Sequence, residues 1–452
     1  MPASRSPTAA TSRRVLVVGG GGREHAIAWK LSRDGAQVLV APGNAGTAAM
    51  AENVPIAVDD IPALVALAQS RQIDLTVVGP EIPLVAGIVD AFTAAGLRIF
   101  GPTAKAAQLE GSKLFCKQIL HRGDVPTAMF REFRGVARAR DYLQAREDMP
   151  VVVKADGLAA GKGVFVCDDR AAALAAVDAL AADPLLAAAS GNILIEERLD
   201  GIEVSVLAIT DGRTIVTLPP LQDHKAAHDD DAGPNTGGMG AYCPTPFVDE
   251  PLLAEIEARI LVPTVHAMRR AKVPFQGVLY AGLMLTAQGP KVLEFNARFG
   301  DPECEPLLLR MESSLLELLD ATVDRTLETC QAPRWRDGAA VSVVMASEGY
   351  PGPVSKGQPI RGLDVAGRLP DVQVFHAATR LADGAVVADG GRVLAVTALG
   401  SSLARAKLQT YTAVKEIRWA GAWCRKDIGD KGLRRERELL AAEAASEEPA
   451  AS

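Results

Sequence analysis

Arg14-Val15-Leu16-Val17-Val18-Gly19-Gly20-Gly21-Gly22-Arg23-Glu24-His25 opens the ordered part of the chain and decides how the first hundred residues are read. Four apolar residues in a row are the mark of a strand buried on both faces, and glycines at its end permit a tight turn into a helix. A helix over Glu24–Ser32 follows. The pattern then repeats. Gln37-Val38-Leu39-Val40 reads as a second strand, Ile61–Arg71 as a helix and Asp74-Leu75-Thr76-Val77-Val78 as a third strand. Leu84–Ala95 reads as another helix and Ile99-Phe100 as a fourth strand, stopped by Gly101-Pro102. Strands alternating with helices predict βαβ units and a doubly wound parallel sheet, here over residues 13–103.

In such a sheet, ligands bind at the carboxyl ends of the strands. Gly19–Gly22, Pro42-Gly43-Asn44-Ala45-Gly46-Thr47 and Gly79-Pro80-Glu81 all fall there. A dinucleotide site is disfavoured, because Leu39-Val40-Ala41-Pro42 lacks the acidic residue that would hold a ribose. A phosphate-bearing small substrate, or a plain strand–helix turn, remains.

Residues 104–336 mix shorter strands and helices, which predicts α+β. Helical patterns cover 105–122, 170–187 and 250–272, and strands fall at 151–154, 192–197, 203–209, 277–285 and 291–295. Residues 337–432 predict a smaller unit with strands near 341–346, 373–376 and 392–398 and a helix at 401–417. Residues 1–12 read as a disordered extension and 433–452 as a tail.

Composition narrows the function classes. The chain has 452 residues and a net charge of −7, with aromatics at 4%. Sparse aromatics and the lack of a clustered basic face argue against a nucleic-acid partner. No apolar run approaches the ~18 residues of a membrane span. Six cysteines, none in a CxxC pair, suggest a reducing, cytoplasmic setting.

Three stretches carry the chemistry. Lys154-Ala155-Asp156-Gly157-Leu158-Ala159-Ala160-Gly161-Lys162-Gly163 is a strand end followed by a Gly/Lys loop. It suits a lid over phosphates, with a solvated hairpin as the plainer alternative. Ile193-Leu194-Ile195-Glu196-Glu197-Arg198-Leu199, with Glu203 beyond it, offers carboxylates and backbone groups for an adenine edge and ribose hydroxyls. Lys291-Val292-Leu293-Glu294-Phe295-Asn296-Ala297-Arg298-Phe299-Gly300-Asp301-Pro302-Glu303 places Glu294 and Asn296 two apart on a strand. They share a face and suit a Mg²⁺ ion that also takes phosphate oxygens and water. Arg298 offers a bidentate fork to a carboxylate or phosphate. The Gly-rich loop from Gln222 to Gly240 is costly to order unless it binds something. His224 and His228 lack a third metal ligand there.

These motifs, in this order, resemble the phosphoribosylamine–glycine ligase family. The resemblance also takes in Glu110-Gly111-Ser112-Lys113, Pro234-Asn235-Thr236-Gly237-Gly238-Met239-Gly240 and Cys424-Arg425-Lys426-Asp427-Ile428-Gly429. It spans about residues 13–430, and Gly20, Cys116 and Cys304 depart from it. It implies a pre-ATP-grasp doubly wound domain, an ATP-grasp domain and a small barrel-like carboxyl-terminal domain. It also implies that ATP and glycine give glycyl phosphate, which the amine of 5-phosphoribosylamine attacks. Lys113, Lys154 and Arg298 would be catalytic. Lys113, Lys154, Gly161, Lys162, Gly163, Glu196, Glu197, Leu199 and Glu203 would bind ATP, and Glu294 and Asn296 Mg²⁺ or Mn²⁺. Gly22, Arg23, Asn44, Asp223, Asn235, Thr236, Gly237, Arg298 and Asp301 are the substrate-binding candidates. A monomer is expected, with a dimer as the alternative. Rival readings are another ATP-grasp carboxylate–amine ligase or carboxylase, and a non-catalytic nucleotide-binding regulator.

Overall fold

The computed structural model describes residues 12–157, 163–182 and 191–447. The expected lid residues Gly161 and Lys162 therefore lie outside the described residues. The first sheet holds β1 (Arg14–Gly19), β2 (Gln37–Pro42), β3 (Glu52–Asn53), β4 (Leu75–Val78) and β5 (Ile99–Phe100). All its pairings are parallel, in the order β3-β2-β1-β4-β5. β1 alternates between two cores: Val15 and Val17 face one, Leu16 and Val18 the other. Helix α1 (Gly22–Arg33) covers the first face through Ala26, Ile27 and Leu31. Helices α2 (Ile61–Ser70), α3 (Glu81–Val85) and α4 (Ile88–Ala94) cover the second through Leu64, Leu84, Ile88 and Phe92. Each of the Leu, Ile and Phe side chains contributes about 1.5–3 kcal/mol by leaving water. The chain runs outward from β1 to β3 and then returns to β4, so the crevice between β1 and β4 is the switch point. The helix expected over Leu84–Ala95 is two helices, because Gly87 adopts φ +95 between them.

The predicted 105–122 helix is likewise two, α5 (Ala104–Gly111) and α6 (Lys113–Gly123). Ser112 leaves helical geometry and caps α6, its side chain accepting from Phe115 N. Next come β6 (Phe130–Arg134), α7 (Val136–Ala145), β7 (Val151–Ala155), β8 (Val164–Cys167), α8 (Arg170–Ala182) and β9 (Asn192–Glu197). The strands form an antiparallel sheet, β6-β9-β7-β8. Val151, Val153, Ile193 and Ile195 pack on α7 and α8. By strand alternation, Lys154 and Glu196 point to the opposite, open face.

A second antiparallel sheet, β11-β10-β14-β15, uses β10 (Ile202–Thr210), β11 (Ile215–Thr217), β14 (Gly277–Thr286) and β15 (Gly289–Asn296). Between them in the chain, β12 (Gln222–Asp223) and β13 (Gly240–Cys243) leave this sheet for another. They join β16 (Ala339–Ser347), β17 (Val372–His376), β20 (Arg392–Gly400) and β21 (Ala422–Trp423) in a six-stranded antiparallel sheet. β18 (Thr379–Ala382) and β19 (Ala385–Ala388) form a hairpin beside it. The carboxyl-terminal sheet is thus completed by the middle of the chain, and the long Gly-rich loop is the connection between β12 and β13. Helix Leu315–Asp324 returns to pack on the first domain through Leu315, Leu318 and Leu319.

The segment expected as one helix over 250–272 contains a π turn, Glu257–Leu261, between Glu250–Ile256 and Val262–Arg270. Pro263 lacks the amide that a continuous α-helix would need there. Helix Asp430–Glu447 occupies most of the expected tail.

Candidate active site

The open face of the β6–β9 sheet and the end of β15 meet over α6. Lys154, on β7, reaches Glu196 Oε2 at 3.0 Å and the Leu293 carbonyl at 3.3 Å. Lys117, on α6, reaches the same Glu196 oxygen at 3.2 Å. Lys113 starts α6 and donates to the Gly157 carbonyl at 3.0 Å. Burial lowers its pKa, and the nearby Glu294 opposes that shift. Asp156 accepts from Ser112 Oγ at 3.0 Å and from Leu114 N at 3.2 Å, so the start of the Gly/Lys loop is tied to the first turn of α6. Gly163 closes the described end of that loop by accepting from Ala155 N at 2.9 Å.

Glu196 Oε1 is buried without a hydrogen-bond partner. A free acceptor at that depth fits a ligand that donates, as an exocyclic amine does. Glu197 accepts from Met129 N at 3.0 Å and lies 3.5 Å from Lys291, holding the entry and exit of the sheet together. Leu199 sits just past β9, and Glu203, on β10, pairs with Lys225 at 3.0 Å.

Glu294 owes its position to an irregularity in β15. Val292 pairs with Leu283 and Glu294 with Gly282, so Leu293 is an extra residue. Val292 and Phe295 both enter the core under α5 and α6, although their positions are three apart, an odd number. In an unbroken strand Val292, Glu294 and Asn296 would share one face, and the acid would point into that core. The bulge turns Glu294 and Asn296 together toward the lysines. Burial pushes the Glu294 carboxyl up, but Lys225, Lys154, Lys113 and Arg298 outweigh it and hold the pKa below the usual range. Its nearest cation in an ion pair is Lys225 at 3.8 Å, and its side chain is 46% exposed, so its oxygens stay accessible. Asn296 Oδ1 accepts only a 3.4 Å bond from Arg298. No cluster of three acidic, His or Cys ligands exists among the described residues. Two oxygens with an ionised carboxylate fit a divalent ion completed by phosphate and water.

Arg298 is bound within the protein: Nη2 lies 2.9 Å from Glu110 and Nε 3.4 Å from Glu81. Glu110 also accepts from Ala297 N at 2.7 Å. Arg298 therefore joins β15 to α5 and to the end of β4.

At the switch point, the glycines make room for Glu24. Side chains at Gly19 or Gly79 would collide with it. Its Oε2 accepts from Gly21 N at 2.6 Å and its Oε1 from Arg23 Nε at 2.7 Å. The Gly21 amide at the start of α1 is thus taken by a side chain from within the helix. Gly22 lies against Glu305. Arg23, buried, also donates to Phe299 O at 3.1 Å. Asn44 Nδ2 donates to Gly20 O at 2.9 Å and to His376 O at 2.7 Å, and its Oδ1 accepts from Gly46 N at 2.8 Å. His25 accepts from His376 N at 2.8 Å, and burial drives its pKa down to about 3. These residues weld the first domain to β17.

The β12–β13 loop borders the same space. Lys225 stands between Glu203, Glu294 and Asp223, which keep its ammonium charged against burial. Burial, then Glu303, Glu203 and Glu294, push Asp223 up to about 7 despite Lys225. Thr236 N donates to Lys225 O at 2.7 Å. Arg392 donates to Gly237 O at 2.7 Å and pairs with Asp301 at 3.1 Å, and Asn235 bridges to Ala226. His224 is buried, with Nδ1 3.3 Å from Gly240 O.

Lys117, Lys225, Glu24 and Arg392 stand in the site beyond the residues expected from the sequence. Lys117 stands four residues after Lys113 on one helix face, a spacing that could have flagged it. Arg392 carried no such signal, since its partners lie about ninety and 155 residues away in the chain.

The chain matches three models of phosphoribosylglycinamide synthetase: the N domain over residues 13–110, the ATP-grasp (A) domain over 111–304 and the C domain over 340–431. It is 58% identical over 426 residues to a phosphoribosylamine–glycine ligase of Rhodopirellula baltica, covering 93% of this chain and 98% of that one. Among solved structures it is similar to a phosphoribosylamine–glycine ligase of Thermotoga maritima, with a TM-score of 0.80 and 31% identity over 92% of this chain and 100% of that one. A biotin carboxylase of Campylobacter jejuni shares the fold at a TM-score of 0.69 and 13% identity, covering 91% of this chain and 92% of that one. On its three domain matches and this identity over nearly its full length, the chain belongs to the phosphoribosylglycinamide synthetase family.

Proposed function

We propose that the chain joins glycine to 5-phosphoribosylamine at the expense of ATP, through glycyl phosphate, giving glycinamide ribonucleotide, ADP and phosphate. The observation that carries this reading is the bulge in β15, which brings Glu294 and Asn296 to face Lys113, Lys154 and Lys225 across one cleft. Phosphoryl transfer needs positioning and charge neutralisation more than covalent help from the protein, and this cleft supplies both. Lys113 and Lys154 take the phosphate charge. Glu196, Glu197, Leu199 and Glu203 line the adenosine end. Glu294 and Asn296 hold Mg²⁺ or Mn²⁺, which supplies further charge neutralisation when bound.

Asp301, Arg298 and the β12–β13 residues Asp223, Asn235, Thr236 and Gly237 border the space left for the acid and the amine. Gly22, Arg23 and Asn44 support that wall from the switch point, and their own bonds make them scaffold for the substrate contacts. Six free thiols support a cytoplasmic setting. No helix among the described residues is long and apolar enough to cross a membrane.

An ADP-release assay tests the reading. ADP should appear only when ATP, glycine and phosphoribosylamine are all present. Release with a different acid–amine pair, and none with this one, would move the chain to another carboxylate–amine reaction of the same fold.

A further inference from the structure

Lys117 shares one carboxylate oxygen with Lys154. The two ammonium groups lie 3.2 Å and 3.0 Å from Glu196 Oε2. A single carboxylate carries one negative charge, so Glu196 by itself balances only one of these two cations. The geometry says which. Lys117 also donates to Thr127 Oγ1 at 2.7 Å and stands 5.4 Å from the centre of the Phe130 ring, so it has partners on several sides. Thr127 in turn donates to Val292 O at 2.7 Å, anchoring Lys117 to β15 beside the bulge. Lys117 is 3% exposed. Lys154 has only Glu196 and the long 3.3 Å contact to Leu293 O, is 10% exposed, and precedes the Gly/Lys loop. Lys117 is thus the more firmly held of the two, and Lys154 the one nearer the loop and the cleft.

We propose that Lys117 is a positioning residue: it keeps the Glu196 carboxylate neutralised so that Lys154 can exchange that carboxylate for the phosphates of ATP. The proposal rests on the nucleotide reading of the cleft. Without Lys117, Glu196 would keep a single cation. The phosphates would then have to break a buried ion pair to recruit Lys154, and burial makes such a pair strong once its alternative partner is gone. Lys117 also fastens α6 to the end of β9.

Four proteins test this: wild type, Lys117→Met, Glu196→Gln and the double variant. The readouts are the dissociation constant of Mg-ATP by calorimetry and the split of ADP release into kcat and KM. Lys117→Met should raise the ATP dissociation constant and KM at least about tenfold, with kcat at saturating ATP within about threefold, since tenfold needs only about 1.4 kcal/mol. In the Glu196→Gln background, where no carboxylate competes for Lys154, the same change should alter ATP affinity less than about twofold. A merely structural lysine would cost the same in both backgrounds, and that result would overturn the proposal. So would a loss confined to kcat, or an unchanged ATP affinity. Should Lys117→Met fail to fold, Lys117→Gln keeps the hydrogen bond to Thr127 without the charge and carries the same comparison. The calorimetric arm reports on Lys117 even if the acid and amine are wrongly assigned. A wild-type protein that binds no ATP would overturn both readings.

Discussion

Replacing Glu294 by alanine probes the cleft where its charges are densest. The carboxylate lies 3.8 Å from Lys225, with Lys113, Lys154 and Arg298 also pulling its pKa down. Removing it takes away one of two oxygens turned out by the bulge, and it leaves those ammonium groups with less counter-charge. The triphosphate would still be attracted, so ATP binding should suffer less than turnover. Losing one metal-positioning oxygen should cost turnover at least ~10²-fold, or about 2.7 kcal/mol of transition-state stabilisation. Glu294→Gln retains the shape and one oxygen and should fall between alanine and wild type. The assay is ADP release at saturating glycine and phosphoribosylamine, with Mg²⁺ titrated into the tens of millimolar range. Near-normal turnover of Glu294→Ala at saturating Mg²⁺ would refute the reasoning, because a well-positioned ion would then not depend on that strand.

Gly79→Ala should destabilise the protein by about 1–3 kcal/mol, since the new Cβ would run into Glu24 and nothing there can yield cheaply. Thermal denaturation checks it, and an unchanged Tm would contradict the account of the glycines. Asp223 has a pKa raised from 3.8 to about 7, so the folded protein holds its proton more tightly and its contribution to stability falls as pH rises between those values. The span corresponds to about 4 kcal/mol, reduced to about 2 by partial solvent access. Asp223→Asn should therefore gain stability relative to wild type at pH 8 and not at pH 4, and equal gains at both would refute the assignment. Arg425, buried between Asp231 and Asp427, should cost about 1.5–3 kcal/mol when replaced by methionine, because Asp427 loses its side-chain partner while Asp231 keeps Lys431. Arg425 hydrogen-bonds Asp427 and, against burial, holds its pKa well below 3.8. That stability is present above pH 4 and lost on acidification, so the Arg425→Met penalty should shrink at low pH in denaturant titrations.

The parallel sheet was legible because Val15–Val18 is a continuous apolar run and Leu75–Val78 is one broken only by Thr76, as suits strands covered on both faces. The shared face of Glu294 and Asn296 was legible from their spacing. The bulge that gives the pair its direction was not, because Val292, Glu294 and Asn296 read as simple alternation and the extra residue shows only through pairing with β14. The glycine turn was half legible. Its strand–helix geometry was clear, while the tenant of the space is Glu24, whose place three residues after Gly21 is a capping-box position. The partners that Arg23, Asn44 and Arg298 find within the protein, such as Phe299, His376, Glu81 and Glu110, were not legible, because they come from elements distant in the chain. β6 and α7 escaped notice, since Phe130–Arg134 alternates weakly and carries mostly charged side chains.

A crystal soaked with Mn²⁺ and a non-hydrolysable ATP analogue gives the most direct view of the cleft. The anomalous signal should place the metal within about 2.0–2.3 Å of a Glu294 carboxylate oxygen and of Asn296 Oδ1, with the phosphates beneath Lys113 and Lys154. A bound, ordered nucleotide whose metal sits elsewhere, with those two side chains turned away, would contradict the account.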